Sequence, residues 1–513
     1  MAVGEAIEEQ SLPQYHERHY YPVKIGEVFK DQYRVIAKLG YGAYSTVWLA
    51  WDQRAKQYTS LKVCVSQDTE SSPILNEINM LRHLKRFADT DQRDLPGVGF
   101  TRLADDIFEI DGASPSGRHY CIASKAQGQS IRVLQEKFPN AILPKLLVKS
   151  IIHRLWFSVN WFHSTCGVIH TADISSQNVL MQLEDDSSLR DIEDQESRDP
   201  SIPIITTDGA APVYRSRETK LELSGLPALA DFGQMRLAEG QTNQDWWMSD
   251  LYRAPEVLLG LHWEYPVDVW SIGVMTLELM EGKNLFNPID RVNNQYVLPL
   301  ALAQYIGYLG PPPLEMIRQS PLFSTYFDEQ GKCNWASEPP IPKISFEDFV
   351  TTIPPGEEKD QFLRFIRKIL IWDPKVRANS YELIQDEWMM RPPSEEDMVL
   401  IRGMTSENGR PIKIVGMARP DNFLLRHDTS ERAVIFNPEA SALKPQPIFL
   451  LTCDEVFRAV LILKLKQTSS VVKDSAPLGY QWSIMSLWLG SKIGYCQRVS
   501  DEQDTRFNQV TKG

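Results

Sequence analysis

The sequence predicts an α+β protein of two lobes, a small antiparallel sheet with one main helix followed by a larger, mainly helical lobe. Three observations carry this expectation. Tyr33 to Ala50 alternates apolar and polar residues on either side of a glycine turn, which is the pattern of a β-hairpin. A third strand-like run, Thr59 to Val65, precedes Ile74, Ile78, Leu81 and Leu84, which recur at helical spacing. From Leu146 to Phe162 the period turns helical again, and it stays so in Pro266 to Met280 and Pro299 to Leu309.

A chain of 513 residues, 42% hydrophobic, is long enough for such a core with segments to spare. The boundaries expected are an N-terminal extension at 1–32, a main domain at 33–389 and a tail at 390–513. Within the main domain the first lobe spans about 33–125 and the second about 126–389. Residues 184–225, rich in Asp, Glu, Ser and Pro, read as a loop-like, solvated insert. In the tail, an apolar run from Pro447 to Leu465 contains Thr452 and Glu455 at capping-box spacing, which suits a short helix. Disorder and a small docking element both remain open for the tail as a whole.

The net charge of −13 and the pI near 5.3 argue against a nucleic-acid backbone as a partner and suit a basic protein. Six cysteines are scattered without a CxxC pair, so neither a disulfide framework nor a zinc site is expected. The N-terminus has no basic-then-apolar leader and no stretch has the length of a membrane helix. A monomer of the cytoplasm and nucleus is expected, without a membrane partner.

The chemistry is carried by motifs in a fixed order. The turn Leu39-Gly40-Tyr41-Gly42-Ala43-Tyr44-Ser45-Thr46-Val47 lets backbone N–H groups approach phosphate oxygens where side chains are absent. Lys62 follows one strand later, and Glu77 lies beside the apolar stripe of the helix. An ion pair between them would hold the ammonium against phosphates. Asp173 and Asn178 are five apart, the spacing at which the catalytic loop of protein kinases, which this run resembles, puts a carboxylate on the substrate hydroxyl and a carboxamide on magnesium. Asp231-Phe232-Gly233 follows the apolar Ala228-Leu229-Ala230, so its carboxylate would sit at a strand end, able to bind Mg²⁺. Ala254-Pro255-Glu256 resembles the matching kinase segment, and the resemblance implies that Glu256 and Arg377 would form a buried structural ion pair. Together these residues are what is needed to hold ATP and Mg²⁺ and to move a phosphoryl group.

The set resembles the protein kinases. Within that group, Tyr21-Pro22-Val23-Lys24-Ile25-Gly26, Ser45-Thr46-Val47-Trp48-Leu49-Ala50-Trp51-Asp52 and Leu251-Tyr252-Arg253-Ala254-Pro255-Glu256 resemble the serine/arginine-rich splicing-factor kinases. The resemblance runs from about Tyr21 to Met390, and Leu302 to Pro311 is similar to the extra helices of the wider group containing cyclin-dependent and mitogen-activated kinases. It implies the bilobal kinase fold and ATP-dependent phosphorylation of serines in Arg/Ser-rich proteins, with a role in regulating mRNA splicing. It also places Ser124 beside the nucleotide base, Lys125 and Ala126 in the segment joining the lobes, and Ser249, Arg253 and Glu256 in the substrate-binding segment.

Some positions depart from the pattern. Ser175 stands where serine/threonine kinases place a lysine, and Thr171-Ala172 where they place a His-Arg pair. The missing arginine implies that no activation-segment phosphate is needed. Arg215-Ser216-Arg217 is a short Arg-Ser motif, read as an exposed charged loop in preference to a site of self-phosphorylation. The alternative to an active kinase is a pseudokinase scaffold that binds nucleotide or protein partners with little phosphotransfer.

Overall fold

A computed structural model describes residues 7–394 except 13–14, 16–18, 67–71, 91–94, 113–116, 172–173, 205–211, 221–222, 224, 241–242, 291 and 335–338. Beyond 394 it describes residue 397 and the backbone of three strands.

The first lobe is a six-stranded antiparallel sheet in the order β1-β2-β3-β4-β6-β5. Its strands are β1 (Val28–Phe29), β2 (Tyr33–Gly42), β3 (Ser45–Asp52), β4 (Gln57–Cys64), β5 (Ala104–Asp111) and β6 (Arg118–Ser124). Side chains alternate across it. Val35, Trp48, Ala50, Leu61, Val63, Cys121 and Ala123 form one apolar cluster, while Ile122 and Cys64 join the main core with the helix below. That helix, α1 (Pro73–Ala88), starts where Ser72 accepts a bond from the Ile74 N–H with Pro73 in the first turn, and it ends on Lys85 and Arg86. It buries Ile74, Ile78, Leu81 and Leu84, the stripe expected from their spacing, and Glu77 with them.

The second lobe is built on α2 (Ile131–Glu136) and α3 (Lys145–Trp161), the latter buried along most of its length. Two short strand pairs then shape the cleft. In the first, β7 (Val168–Ile169) meets β10 (Arg236–Leu237); in the second, β8 (Val179–Met181) meets β9 (Pro227–Leu229). After α5 (Pro255–Leu258), helix α6 (Pro266–Glu281) is buried along its length. It stops at Gly282, whose φ of 66° and whose missing Cβ, which would lie 2.1 Å from the Asn140 oxygen, admit no other residue without strain. Helix α7 (Leu298–Leu309) follows, and the Glu357–Ile369 helix packs near α6.

The stretch expected to be a loop-like insert is a correction. Residues Ser187–Arg198 form a helix, α4, whose Leu189 and Ile192 pack with Leu183, Ala126 and the Ile36, Ala37 and Leu49 side chains of β2 and β3 in the first lobe. Glu193 of α4 bonds Arg34 of β2 and Tyr58 of β4. Ser216 and Arg217, read as an exposed charged loop, are instead tied down: the Ser216 hydroxyl donates to Glu8 at 2.6 Å, and Arg217 pairs with Glu196 at 2.6 Å.

A second unit, Leu424–Phe436 with Ala442–Gly513, holds a three-stranded sheet of Phe423–Arg426, whose first residue closes the first unit, Arg432–Phe436 and Leu450–Thr452. Thr452, expected to cap a helix, ends a strand that pairs antiparallel with 432–434; Glu455 lies outside the described residues.

Candidate active site

The glycine turn joins β2 to β3 as a hairpin, with Gly42 opposite Ser45, Tyr41 opposite Thr46 and Gly40 opposite Val47. A Cβ added at Gly40 or Gly42 would meet no protein atom within 4 Å. Packing within the chain therefore does not call for glycine there, and the open approach suits a phosphate. Tyr41 and Tyr44 are exposed, while Ser45 and Thr46 are buried and Thr46 accepts the indole N–H of Trp48. The tip is held from outside, because the Tyr20 hydroxyl donates to the carbonyls of Gly42 and Ala43 at 2.9 and 3.0 Å.

Lys62 lies opposite Val47 across β3 and β4, and its Nζ sits 2.7 and 2.6 Å from the two carboxylate oxygens of Glu77. Burial opposes the charge on Lys62, but the Glu77 and Asp231 carboxylates outweigh it and raise its pKa above the ordinary lysine value. Helix α1 is also fastened to the Asp231 segment, since the Asn76 amide donates to the Gly233 and Met235 carbonyls, both at 2.9 Å. Phe232 is buried edge-on to Phe162 and His170. Asp231 itself is exposed at φ 65°, and Gly233 N–H reaches its Oδ1 at 3.4 Å.

Asn178 sits just before β8, and its carbonyl accepts the Ala230 N–H at 2.9 Å, which brings residue 178 alongside the strand end that leads to Asp231. Asn178 and Asp231 offer hard oxygen donors from adjacent backbone positions, a set suited to a divalent cation. Asp173 lies outside the described residues, as does Ala172. The residues before them are fixed: Thr171 adopts φ 66° and donates to the Gln234 carbonyl at 2.6 Å, and His170 is buried with its N–H on Asp268 at 2.8 Å. Ser175 is half-buried, and its carbonyl accepts the Asn178 N–H.

At the other end of the cleft, Ser124 is buried and its carbonyl accepts from Thr59 and Ser60 at 2.9 and 3.1 Å. Ala126 and Leu39 belong to one apolar cluster, and Lys125 is exposed. In the substrate-side segment Ser249 is exposed. Arg253 donates to Trp247 and Met248 carbonyls and to Asp250, all within 2.9 Å, and lies over the Trp246 ring. Arg236 grips Asp245 with two bonds of 2.8 and 2.6 Å, so an aspartate carboxylate already pairs the cation of this segment. Glu256 and Arg377 form a buried two-bond pair at 2.7 and 2.9 Å beneath it.

Residues 33–389 match the family model described as the protein kinase domain. The chain belongs to the protein kinase family. A serine/threonine protein kinase of Aspergillus fumigatus is 34% identical to it over 388 residues, 75% of this chain and 91% of that one. Serine/threonine-protein kinase SRPK of Physarum polycephalum is 26% identical over 412 residues, 75% and 92% of the two chains. SRSF protein kinase 3 of Homo sapiens is 35% identical over 184 residues, 36% and 31%. Within the family the chain is thus SR-protein-kinase-like at modest identity, and it is a protein serine/threonine kinase that uses ATP and a divalent metal.

Several residues of this kinase site carry no role in the sequence reading. Asp268, whose side chain accepts from the His170 N–H at 2.8 Å and from His163 Nε2 at 2.9 Å, anchors the loop that leads to Asp173. Asp268 falls in the helical run from Pro266 to Met280, but a buried carboxylate's partner is not written in its neighbours. Asn76 and Arg102 left no motif signal at all. Lys38, fully buried, meets Glu9 and lies 3.5 Å from Glu8, a pairing across some thirty residues that only the fold reveals.

Proposed function

We propose that this kinase transfers the terminal phosphoryl group of ATP·Mg²⁺ to serines in Arg/Ser-rich proteins. The observation that carries the catalytic part is the closed Lys62–Glu77 pair, bonded through α1 and Asn76 to the Asp231 segment. Bound ATP supplies the phosphoryl donor, and Mg²⁺ supplies charge neutralisation on its phosphates. Lys62 positions the phosphates, with Glu77 fixing its ammonium. Asn178 and Asp231 hold the metal, and the turn from Leu39 to Val47 covers the nucleotide. Asp173 orients the substrate hydroxyl and receives its proton. Ser175 lacks the ammonium that a lysine there would offer, a loss of about 3 kcal/mol of transition-state stabilisation, or roughly a hundredfold in rate. Catalysis is slowed and not abolished.

The substrate class rests on three supports: relatives named for SR-protein and SRSF kinase activity, the net charge of −13, and an activation segment closed by carboxylates. An acidic protein attracts arginine-rich segments without a docking phosphate. The scaffold alternative is not favoured, because the chain aligns along most of its length with named serine/threonine kinases. We place the protein as a monomer in the cytoplasm and nucleus, where such substrates are met. The test compares transfer to an Arg-Ser repeat peptide with transfer to a Lys-Ser repeat of equal charge. A preference of about tenfold or more for the arginine peptide is expected; equal use of both would remove the Arg/Ser assignment and leave a generic basic-directed kinase.

A further inference from the structure

A second cation stands on the sheet face that carries Lys62. Arg102 lies just before β5, and its backbone N–H bonds the Leu229 carbonyl at 2.9 Å, two residues ahead of Asp231. Its Nη2 donates to the Ser60 hydroxyl at 2.7 Å, and Ser60 in turn donates to the Ser124 carbonyl at 3.1 Å.

The geometry of the sheet shows which side this is. Ser60 and Lys62 are two apart on β4 and share a face. Ser60 is directly opposite Ser124, and Lys62 opposite Ile122, so these side chains share that face too. It is the face on which Lys62 meets Glu77 and feels Asp231. The Arg102 guanidinium is therefore held on this face by Ser60, which is itself bonded to the Ser124 carbonyl, and it feels the charges of Glu77 and Asp231. Burial holds its pKa below the usual arginine value, against the pull of Glu77, Asp105 and Asp231. Its Nε is shut from solvent with no hydrogen-bond partner among the described residues, a cost that a site built for packing alone would avoid.

We propose that Arg102 determines nucleotide selectivity: its guanidinium fills the room that the small Ser124 side chain leaves beside the base, so ATP fits and a nucleotide enlarged at the base does not. The inference rests on the kinase reading of the cleft. Serine is too short to close that side of the pocket, and the arginine reaches in from the neighbouring chain segment to do it.

The test measures displacement of a fluorescent nucleotide from the full chain by ATP and by N6-benzyl-ATP, with Mg²⁺ present. The wild type is expected to bind the benzyl nucleotide at least about tenfold more weakly than ATP. Arg102→Ala should bring the two affinities within about twofold, and adding Ser124→Phe to Arg102→Ala should restore the discrimination. Arg102→Gln, which keeps a polar group near Ser60 in a shorter side chain, should move the ratio the same way and serves if the alanine variant loses its cooperative melt. A ratio unchanged in a folded Arg102 variant, with both nucleotides weakened alike, would overturn the proposal and leave Arg102 a structural brace. Equal binding of both nucleotides by the wild type would overturn it outright. Failure of the wild type to bind ATP would sink the nucleotide reading of the cleft itself, which separates that outcome from the other two.

Discussion

At the scale of single residues, the site depends on charges that satisfy one another, the Lys62–Glu77 pair above all. Glu77→Ala leaves the Lys62 ammonium without its two short contacts. The expected result is a fall in kcat/KM of about a hundredfold or more together with a lowered melting temperature, because a buried ammonium loses its partner, read by initial rates and calorimetry. Ser175→Lys restores a donor next to the transferred group, so it should raise kcat by up to roughly a hundredfold while leaving the KM for ATP near its starting value. Glu278 gives a pH signature of its own. Burial raises its pKa to about 7, partly offset by the hydrogen bond from Tyr252. The native state then keeps a proton that the unfolded chain releases above about pH 4.5. Stability from this group is full below that pH and is lost as the pH rises through 7, at up to about 1.4 kcal/mol per unit. Glu278→Gln should flatten the fall in melting temperature between pH 5 and 7.5; an unaltered slope would show that Glu278 does not titrate there.

At the scale of elements, α4 is the part of the fold the sequence concealed. Ser187–Arg198 is so rich in Asp, Glu and Ser that its composition reads as solvated, yet Leu189, Ile192 and Glu196 fall at helical spacing and all three are buried. Three positions in twelve are too few to mark a stripe when the surface that covers them belongs to a distant sheet. The strands around the glycine turn were legible because their pattern is local and long, and the Lys62–Glu77 pair because its spacing is set by one strand and one helix. Arg102 was not legible, since a lone arginine before a strand is normally solvated and only the crossing of β4, β6 and the Leu229 segment turns it inward. The packing of α4 is testable: Ile192→Asp places an unpaired charge against Ile36, Leu49 and Leu183 and should cost about 3 kcal/mol of stability. A melting temperature within a degree of wild type would mean that α4 does not support the first lobe.

At the scale of the whole molecule, the first lobe is braced from several directions. Tyr20 holds the glycine turn, Glu8 and Glu9 meet Lys38 behind it, and α4 supports β2, β3 and β4. Asn76 joins α1 to the Asp231 segment, and Asp268 fixes the approach to Asp173 from below. The activation segment is closed by Arg236–Asp245 and Arg253–Asp250, so the kinase should be active as synthesised, and phosphorylating it should bring no gain in rate. Phosphatase treatment that abolished its activity would contradict this.

The most direct test of the central claim is single-turnover phosphoryl transfer from ATP·Mg²⁺ to an Arg-Ser repeat peptide by the wild-type protein and by Asp173→Ala. The account predicts transfer by the wild type and a loss of about a thousandfold or more in the variant, with nucleotide affinity retained in both. Equal rates in the two proteins, or no transfer by a wild type that binds ATP, would contradict it.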